Sequence, residues 1–281
     1  MVIDLEKEFA TVADQTSEYT MGYSEEFLQL LDRRSAETHA AYLLPHLKPG
    51  IRVLDFGCGP GTVTVGLARA VEPGEVHGID MEESQIEMAR SAAAAGGHDN
   101  ATFHVGDVTD LPFEDNSFDA AHCHAVLMHV PDTAATLAEV KRVLKPGGVV
   151  GCREMFVSSS FLEPGSEDTD SAWQTFGRLL AGNGGHPAMG KELKSTFLEA
   201  GFTDIQTGAS FDFFGTTEDV AFFHGFIIDW FYSPQVKAAV TKFGLATSEQ
   251  FDGWRRDLDR WKSEPGACGA IAFGEVVARK P

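Results

Sequence analysis

An α/β fold, a doubly wound and largely parallel sheet with a helical cap, is what this sequence predicts, on three observations. From residue 51 onward, short apolar runs alternate with stretches of helical periodicity, the pattern of strands joined by crossover helices that cover both faces of a sheet. A loop of closely spaced glycines follows the first run and opens the next helix, the context in which such a loop binds a ligand. Past residue 157 the alternation gives way to a Gly-, Ser- and Pro-rich stretch and then to a strongly aromatic one.

The elements follow in order. Residues 1–24 have weak periodicity and read as a lid-like arm, with Tyr19 and Tyr23 as its candidates for closing over a ligand. Across 24–44 the apolar positions Phe27, Leu28, Leu31, Ala36, Ala40, Tyr42 and Leu43 fit one long amphipathic helix, ended by Pro45 and the Lys48-Pro49-Gly50 turn. Strands are expected at 51–56, 75–80, 101–105, 118–124 and 147–156. Helices at 62–71, 82–95 and 132–144 lie between them, the second closed by Gly96-Gly97 and the third capped by Asp132, with a loop at 106–116. Residues 158–190 read as a loop-bearing insertion, 191–200 as a helix stopped by Gly201, 202–209 as a strand, 211–263 as largely helical and 268–278 as a final apolar strand. The chain thus divides into an arm and helix acting as a lid (1–44), a ligand-binding core (45–157), the insertion loop (158–190) and a C-terminal part (191–281) whose cap spans about 211–263.

Composition narrows the partners. With 43% hydrophobic residues a sizeable core is available, and 22 Lys+Arg against 42 Asp+Glu give a formal charge of −20. That field repels phosphate backbones and anionic membranes, and no Lys/Arg cluster offsets it, so neither nucleic acid nor membrane is an expected partner. The same balance also suits a well-solvated cytosolic surface. The acidic start lacks a signal-peptide pattern and no apolar run approaches the ~20 residues of a membrane span, so the expected location is cytoplasmic. Cys58, Cys123, Cys152 and Cys268 lie far apart with no CxxC pair, which fits a reducing compartment and no zinc site.

The sharpest feature is the run from Val53 to Thr62, VLDFGCGPGT. Gly57, Gly59 and Gly61 permit positive φ and close backbone approach to a ligand, and Pro60 suits the first turn of the next helix. A dinucleotide fingerprint needs its third glycine at position 62, which is Thr, so that pattern fails. Asp80 ends the second strand 19 residues after Gly61, where an acid can accept from both hydroxyls of a ribose. Asp107 follows the third strand, placed to accept from an adenine amino group while Val108 N–H reaches a ring nitrogen.

VLDFGCGPGTVT, HGID, GDVTDLPFEDNSFD and RVLKPGG, in this order and spacing, resemble the consecutive motifs of class I S-adenosylmethionine-dependent methyltransferases, most closely their UbiE-like, type 11 branch. The resemblance covers about residues 45–157. It implies a Rossmann-like, seven-stranded sheet whose antiparallel last strand is 268–278, S-adenosylmethionine as cofactor and S-adenosylhomocysteine as product. It also implies a cofactor site: the 57–61 loop against the amino-acid end, Asp55 near the ammonium, Asp80 on the ribose, Asp107 and Val108 on the adenine, with Tyr23, Met81, Gln85 and His124 completing the lining. Carboxylates at 55 and 80 suit a sulfonium cation better than a pyrophosphate.

The acceptor is expected beyond the C-terminal ends of the strands. The N/D-P-P-Y/F motif typical of enzymes that methylate nucleobase or glutamine amino groups is absent after the fourth strand, which favours a small-molecule acceptor. His129 is the candidate general base, its ordinary pKa of about 6.5 suiting proton removal near neutrality, against a reading as loop structure. His122 and His124 share one strand face, but no carboxylate shares their spacing, so no metal is expected. Arg153 and Glu154 are charges in an apolar strand, read either as substrate-orienting or as a structural salt bridge. Thirteen aromatic residues lie between 211 and 261, and Phe226 and Trp230 share a helical stripe with Phe222. That face packs on the sheet or on a second subunit of a homo-oligomer, or it caps a hydrophobic or aromatic acceptor, with Phe226 and Trp230 against it.

The REMF, LMHVPD and GEVVARK segments resemble a microbial subgroup acting on secondary metabolites. The rivals are quinone or isoprenoid C-methylation, a non-catalytic S-adenosylmethionine-binding regulator and an oxidoreductase. Arsenite methylation would need convergent thiolates that four scattered cysteines do not supply.

Overall fold

The computed structural model describes residues 20–21 and 25–281, so Tyr19 and Tyr23 lie outside the described residues. Five parallel strands, β1 (Arg52–Phe56), β2 (Glu75–Asp80), β3 (Ala101–Val105), β4 (Phe118–His124) and β5 (Leu144–Met155), stand in the order 3-2-1-4-5. Side-chain alternation splits β1 between two cores. Leu54 and Phe56 join the large core with Leu137 and Val140, whereas Val53 packs with Ala36, Val63 and Leu67. Helices α3 (Thr62–Val71), α4 (Glu83–Gly96) and α5 (Thr133–Val143) make the crossovers, α5 capped by the Asp132 carboxylate on Ala135 N–H.

The sheet has eight strands, one more than the resemblance implies. Short β6 (Phe161–Glu163) and long β7 (Thr203–Phe214) both pair antiparallel with β8 (Cys268–Arg279), which itself runs antiparallel to β5. Ala270 of β8 faces both Phe161 and Phe213, and Glu275 faces both Arg153 and Gly208. Strands β5 and β6 therefore share one edge of β8 end to end, and β7 takes the other.

Two expectations are corrected. The helix read as continuous over 24–44 is broken into α1 (Glu25–Asp32), α2 (Ala36–His39) and a 3-10 turn at Leu44–His46. Ser35 stands extended between the first two (φ −145°, ψ 162°), its carbonyl accepting from His39 N–H. The stretch 158–190, read as loop, holds β6 and the 16-residue α6 (Glu167–Gly182). Its Gly, Ser and Pro cluster at the ends, where Ser166 and Thr169 form a capping box, while Phe176, Leu179 and Leu180 are buried along the helix. Helix α7 (Met189–Glu199) leads into β7, and α8 (Thr217–Phe231), α9 (Pro234–Lys242) and α10 (Ser248–Ser263) form the aromatic cap. Among the described residues no helix is long and apolar enough to cross a membrane.

Arg153 proves structural. It is 1% exposed, its Nη2 donates to Asp212 Oδ1 at 2.8 Å, its Nε donates to Ser210 Oγ at 3.0 Å, and its guanidinium lies 3.8 Å from the Phe273 ring centroid. It lines neither cavity described below and pairs with β7 and β8, not with Glu154, so a substrate-orienting role is set aside. Burial by itself raises the pKa of Asp212, but the hydrogen bond from His39 and the Arg153 charge outweigh it and hold the carboxyl at about 2. A folded-state pKa below the ordinary value means stability that is present above about pH 4 and lost as pH falls through about 2. Asp212→Asn is therefore expected to cost about 2 kcal/mol near neutral pH. In urea melts the gap to wild type should close between about pH 4 and about pH 2; a gap independent of pH contradicts the assignment.

Candidate active site

The glycine turn is built on β2 as much as on β1. Gly57 and Cys58 N–H both donate to Ile79 O (2.7 and 3.0 Å), and Gly59 N–H donates to Asp80 Oδ2 at 2.9 Å. The Glu82 amide takes the other oxygen of Asp80 at 3.1 Å. Gly57 (φ +70°) has no room for a side chain, since a Cβ there would fall 2.4 Å from Val126 Cγ2. Gly61 (φ +79°) faces Ala89 and Phe103 instead of the cavity, and it caps α3, which leaves Pro60 in the turn ahead of the helix.

Over this turn lies a cavity of about 1680 Å³ of empty space, its open mouth included. It gathers Asp55, Gly57, Gly59, Asp80, Met81, Gln85, Asp107, Val108 and His124 from the expected set, but not Gly61. Both oxygens of Asp55 are engaged, by Thr64 Oγ1 and by His122 Nδ1 at 2.8 Å, all three groups being buried. Asp107 is exposed, and its Oδ1 accepts from the amide and hydroxyl of Thr109 (2.8 Å each). Burial raises the pKa of Asp80, opposed by the Glu82 and Gly59 amides. Three buried groups at this wall hold polar atoms with no hydrogen-bond partner among the described residues: Gln85 Oε1, His122 Nε2 and both ring nitrogens of His124. His124 sits edge-on to His39, and burial, then the Arg34 charge, push its pKa well below the ordinary imidazole value. Among the described residues no group of three or more His, Cys, Asp or Glu is arranged to hold a metal.

A second cavity, about 940 Å³ of empty space, adjoins the first through shared walls at Arg34, Ala125 and His129. Among the described residues, Arg34, His129 and Thr169 are its polar side chains other than the Trp indoles. Phe226 and Trp230 line it as expected, and Met155, Phe176 and Phe273 are lining residues that sequence reasoning missed. The Trp230 indole donates to Met21 O at 2.9 Å and Asn183 Nδ2 to Thr20 Oγ1 at 3.0 Å, tying residues 20–21 over this cavity. Ala125 at the shared wall has φ +54°, a conformation that costs a non-glycine residue about 1–3 kcal/mol.

The wall between the cavities is fixed by Glu154. This fully buried carboxylate accepts the N–H groups of Val126 (3.0 Å), Leu127 (2.9 Å) and Met128 (3.1 Å), with the Cys123 thiol at 3.4 Å. Burial lifts its pKa while those amides hold it back. Glu154 lines neither cavity, so the substrate-orienting expectation is corrected: it positions the loop carrying His129. His129 lines both cavities, but the near-neutral pKa expected of it is not found, since burial and then Arg34 push it down to about 3. A ring that protonates only there is a weak base.

Comparison with known proteins places this architecture. A methyltransferase-domain family matches residues 47–201, more than half of the chain. An uncharacterized methyltransferase of Schizosaccharomyces pombe is 30% identical over 257 residues, 88% of this chain and 91% of that one. The chain belongs to the class I S-adenosylmethionine-dependent methyltransferases. S-adenosylmethionine is its cofactor. A probable methyltransferase of Aspergillus luteorubrus is 35% identical over 168 residues, 57% of this methyltransferase and 58% of that protein. A demethylmenaquinone methyltransferase of Staphylococcus aureus is 44% identical over 109 residues, 38% of this chain and 44% of that one. The YcgJ protein of Bacillus subtilis has the same fold, with a TM-score of 0.61 at 19% identity over 87% of this chain and 99% of its own. So has the [4+2]-cyclase SpnF, at 0.52 and 22% over 91% and 81%. A cyclase on this fold means that the fold alone does not fix the reaction.

Removing the Glu154 carboxylate leaves three buried amides without an acceptor. Glu154→Ala is expected to cost about 3–5 kcal/mol in denaturant unfolding. A cost under about 1 kcal/mol would mean that the loop holds its shape without it.

Proposed function

We propose that the methyltransferase moves a methyl group from S-adenosylmethionine, held in the first cavity, to a small hydrophobic or aromatic acceptor held in the second, as in the tailoring of a secondary metabolite. One observation carries this reading: the second cavity is walled by aromatic and aliphatic side chains and meets the carboxylate-lined one at a narrow shared wall. The residues of the first cavity fit the cofactor chemically. Gln85 Oε1, His122 Nε2 and both His124 nitrogens are buried with their hydrogen-bonding capacity unspent among the described residues, and Asp55, Asp80 and Asp107 bring negative charge toward a cation. When bound, S-adenosylmethionine supplies a methyl carbon made electrophilic by its sulfonium.

In this reading Asp80, already oriented by two amides, accepts the ribose hydroxyls, and Asp107 and Val108 recognise the adenine. Asp55, with both oxygens engaged by His122 and Thr64, acts by its charge and by orienting His122. The apolar cavity excludes water and aligns the acceptor, so that proximity supplies most of the acceleration, up to ~7–11 kcal/mol in well-oriented systems. The likeness to a demethylmenaquinone methyltransferase favours a second reading, methylation of a quinone ring carbon. Turnover of a demethylmenaquinone, with none of phenols or naphthols, would select it. S-adenosylhomocysteine binding without turnover of any acceptor would point to a regulator.

Two measurements test the proposal. Asp80→Ala should weaken S-adenosylhomocysteine binding by about 2–4 kcal/mol in calorimetry, and unchanged affinity refutes the ribose role. Phe226→Ala should lower kcat/KM for an aromatic acceptor about tenfold and leave S-adenosylhomocysteine affinity within about twofold. A variant that loses both together places Phe226 elsewhere.

A further inference from the structure

We infer that His77 and His104 form an acid-sensitive latch at the edge of the sheet, and that a proton on His104 loosens the strand end from which the adenine wall of the first cavity springs. The inference rests on the reading that Asp107 and Val108 meet the adenine, and it adds a regulation of that site. Strand β3 is the outer strand of the parallel set and pairs with β2. Its register sets His104 opposite Ile79, and His77 stands two residues before Ile79, so both imidazoles share one face. Gly106 N–H donates to Asp80 O at 2.9 Å, after which Asp107, Val108 and Thr109 enter the cavity lining. The far end of that loop is fixed separately by Arg142, whose guanidinium donates to the carbonyls of Leu111 (2.9 Å) and Phe113 (2.7 Å). The near end depends on β3 keeping its place, and the histidine pair is a side-chain tie that holds it to β2.

The partners of the pair decide where its protons sit. Arg52 can only donate, and its Nε and Nη2 both meet His77 Nε2, at 3.2 and 3.1 Å. That nitrogen is therefore an acceptor, and the His77 proton sits on Nδ1, which donates to His104 Nε2 at 3.0 Å. The His104 Nε2 is in turn a lone pair. The two rings stack 5.3 Å apart, and Phe113, from the loop that forms the wall, stands edge-on to both at 5.8 and 5.2 Å. A proton arriving on His104 Nε2 would set two N–H groups head to head. His77 can answer only by moving its own proton to Nε2, against the two Arg52 donors, so the bond is lost.

His104 is only half-buried, so solvent protons reach it. The charged groups facing the pair are Arg52 on β1, Glu75 on β2 and Arg90 on α4. Asp119 of β4 lies one step further, bound to the Arg52 amide and to Lys145. Burial and then Arg52 lower the His77 pKa, with Glu75 opposing, while burial, then Arg90 and Arg52, lower that of His104. Depressed values mean that the latch is fully closed above the ordinary imidazole value of about 6.5 and opens as pH falls below it. A cofactor that binds the latched form better must by reciprocity pull the His104 pKa further down, by the same factor as acid weakens binding.

The test follows S-adenosylhomocysteine binding to the full chain by calorimetry between about pH 7.5 and about pH 5. The His104 ring is titrated by NMR over the same range, with and without S-adenosylhomocysteine, and its resonance is assigned by its absence in His104→Phe. Wild-type affinity is expected to fall about 5- to 20-fold toward the acid end, and the His104 pKa to be lower in the complex than in the free protein. His104→Phe keeps a ring against Phe113 but has no bond to break and no proton to take, so it should lose most of this dependence. What remains in it belongs to other groups of the site, such as Asp80, whose pKa burial raises. A wild-type affinity flat over this range, a His104→Phe profile parallel to wild type, or a His104 pKa unmoved by S-adenosylhomocysteine overturns the latch and leaves the cofactor site standing. The NMR titration needs only wild type, so it decides the matter if the variant does not fold. Unchanged affinity in Asp107→Ala at neutral pH would move the adenine wall elsewhere and take this inference with it.

Discussion

One carboxylate holds the site in shape. Glu154 lies fully buried at the end of β5 and takes three successive amides of the loop that leaves β4. Without it those amides would point into a dry core, where an unpaired donor is expensive. With it, the loop turns back at once after His124, Ala125 is kept in its left-handed conformation, and Val126 is pressed against Gly57. The glycine there is thus dictated twice, by its own backbone and by a side chain from the loop that follows β4. His129 follows on the same loop and reaches the wall shared by both cavities.

The charge of the molecule is sorted by that wall. Among the described residues, the carboxylates that line a cavity lie on the glycine-turn side, where amides, hydroxyls and a histidine already satisfy Asp55, Asp80 and Asp107 in part. Beyond the wall the described lining, Thr169 and the Trp indoles apart, is sulfur, aliphatic and aromatic carbon, and an unpaired carboxylate there would be strongly disfavoured. The same sorting explains why the net charge of −20 says little about the acceptor. That charge is summed over the whole sequence, whereas the described lining of the second cavity holds no carboxylate.

Much of the core was legible from sequence, because parallel strands buried on both faces read as unbroken apolar runs and their turns are marked by glycine. The ends of α3, β2, β3 and β4 fall where periodicity puts them. The first cavity was legible through its acids, since each stands at the end of a strand. Features that depend on distant partners were not. Arg153 and Glu154 signalled that two charges needed an explanation, but their partners at Asp212 and at the 126–128 amides are set by register between strands far apart in sequence. The break after α1 was hidden because apolar spacing from Phe27 to Leu43 fits a continuous helix as well as two short ones. Helix α6 was masked by the Gly, Ser and Pro of its own ends, although Trp173, Phe176 and Leu180 keep helical spacing within it.

The aromatic segment shows why composition alone left two readings open. Phe223, Trp254 and Trp261 are core in the ordinary sense, with Phe223 stacked 4.1 Å from Phe214 and the Trp261 indole bonded to the carbonyls of Glu163 and Cys268. Phe226, Trp230 and Phe231, on the same helix, instead line the second cavity. Residues 223 and 226 are one helical turn apart, so they belong to one buried face by periodicity, and what separates their roles is the packing opposite them. Phe223 meets β7 and α10, which close on it, whereas Phe226 and Trp230 meet α1 and α6, which stand off and leave a space. A cavity of this kind is made by what the helices across it fail to fill. It belongs to no single segment, and a reading that takes segments one at a time cannot find it.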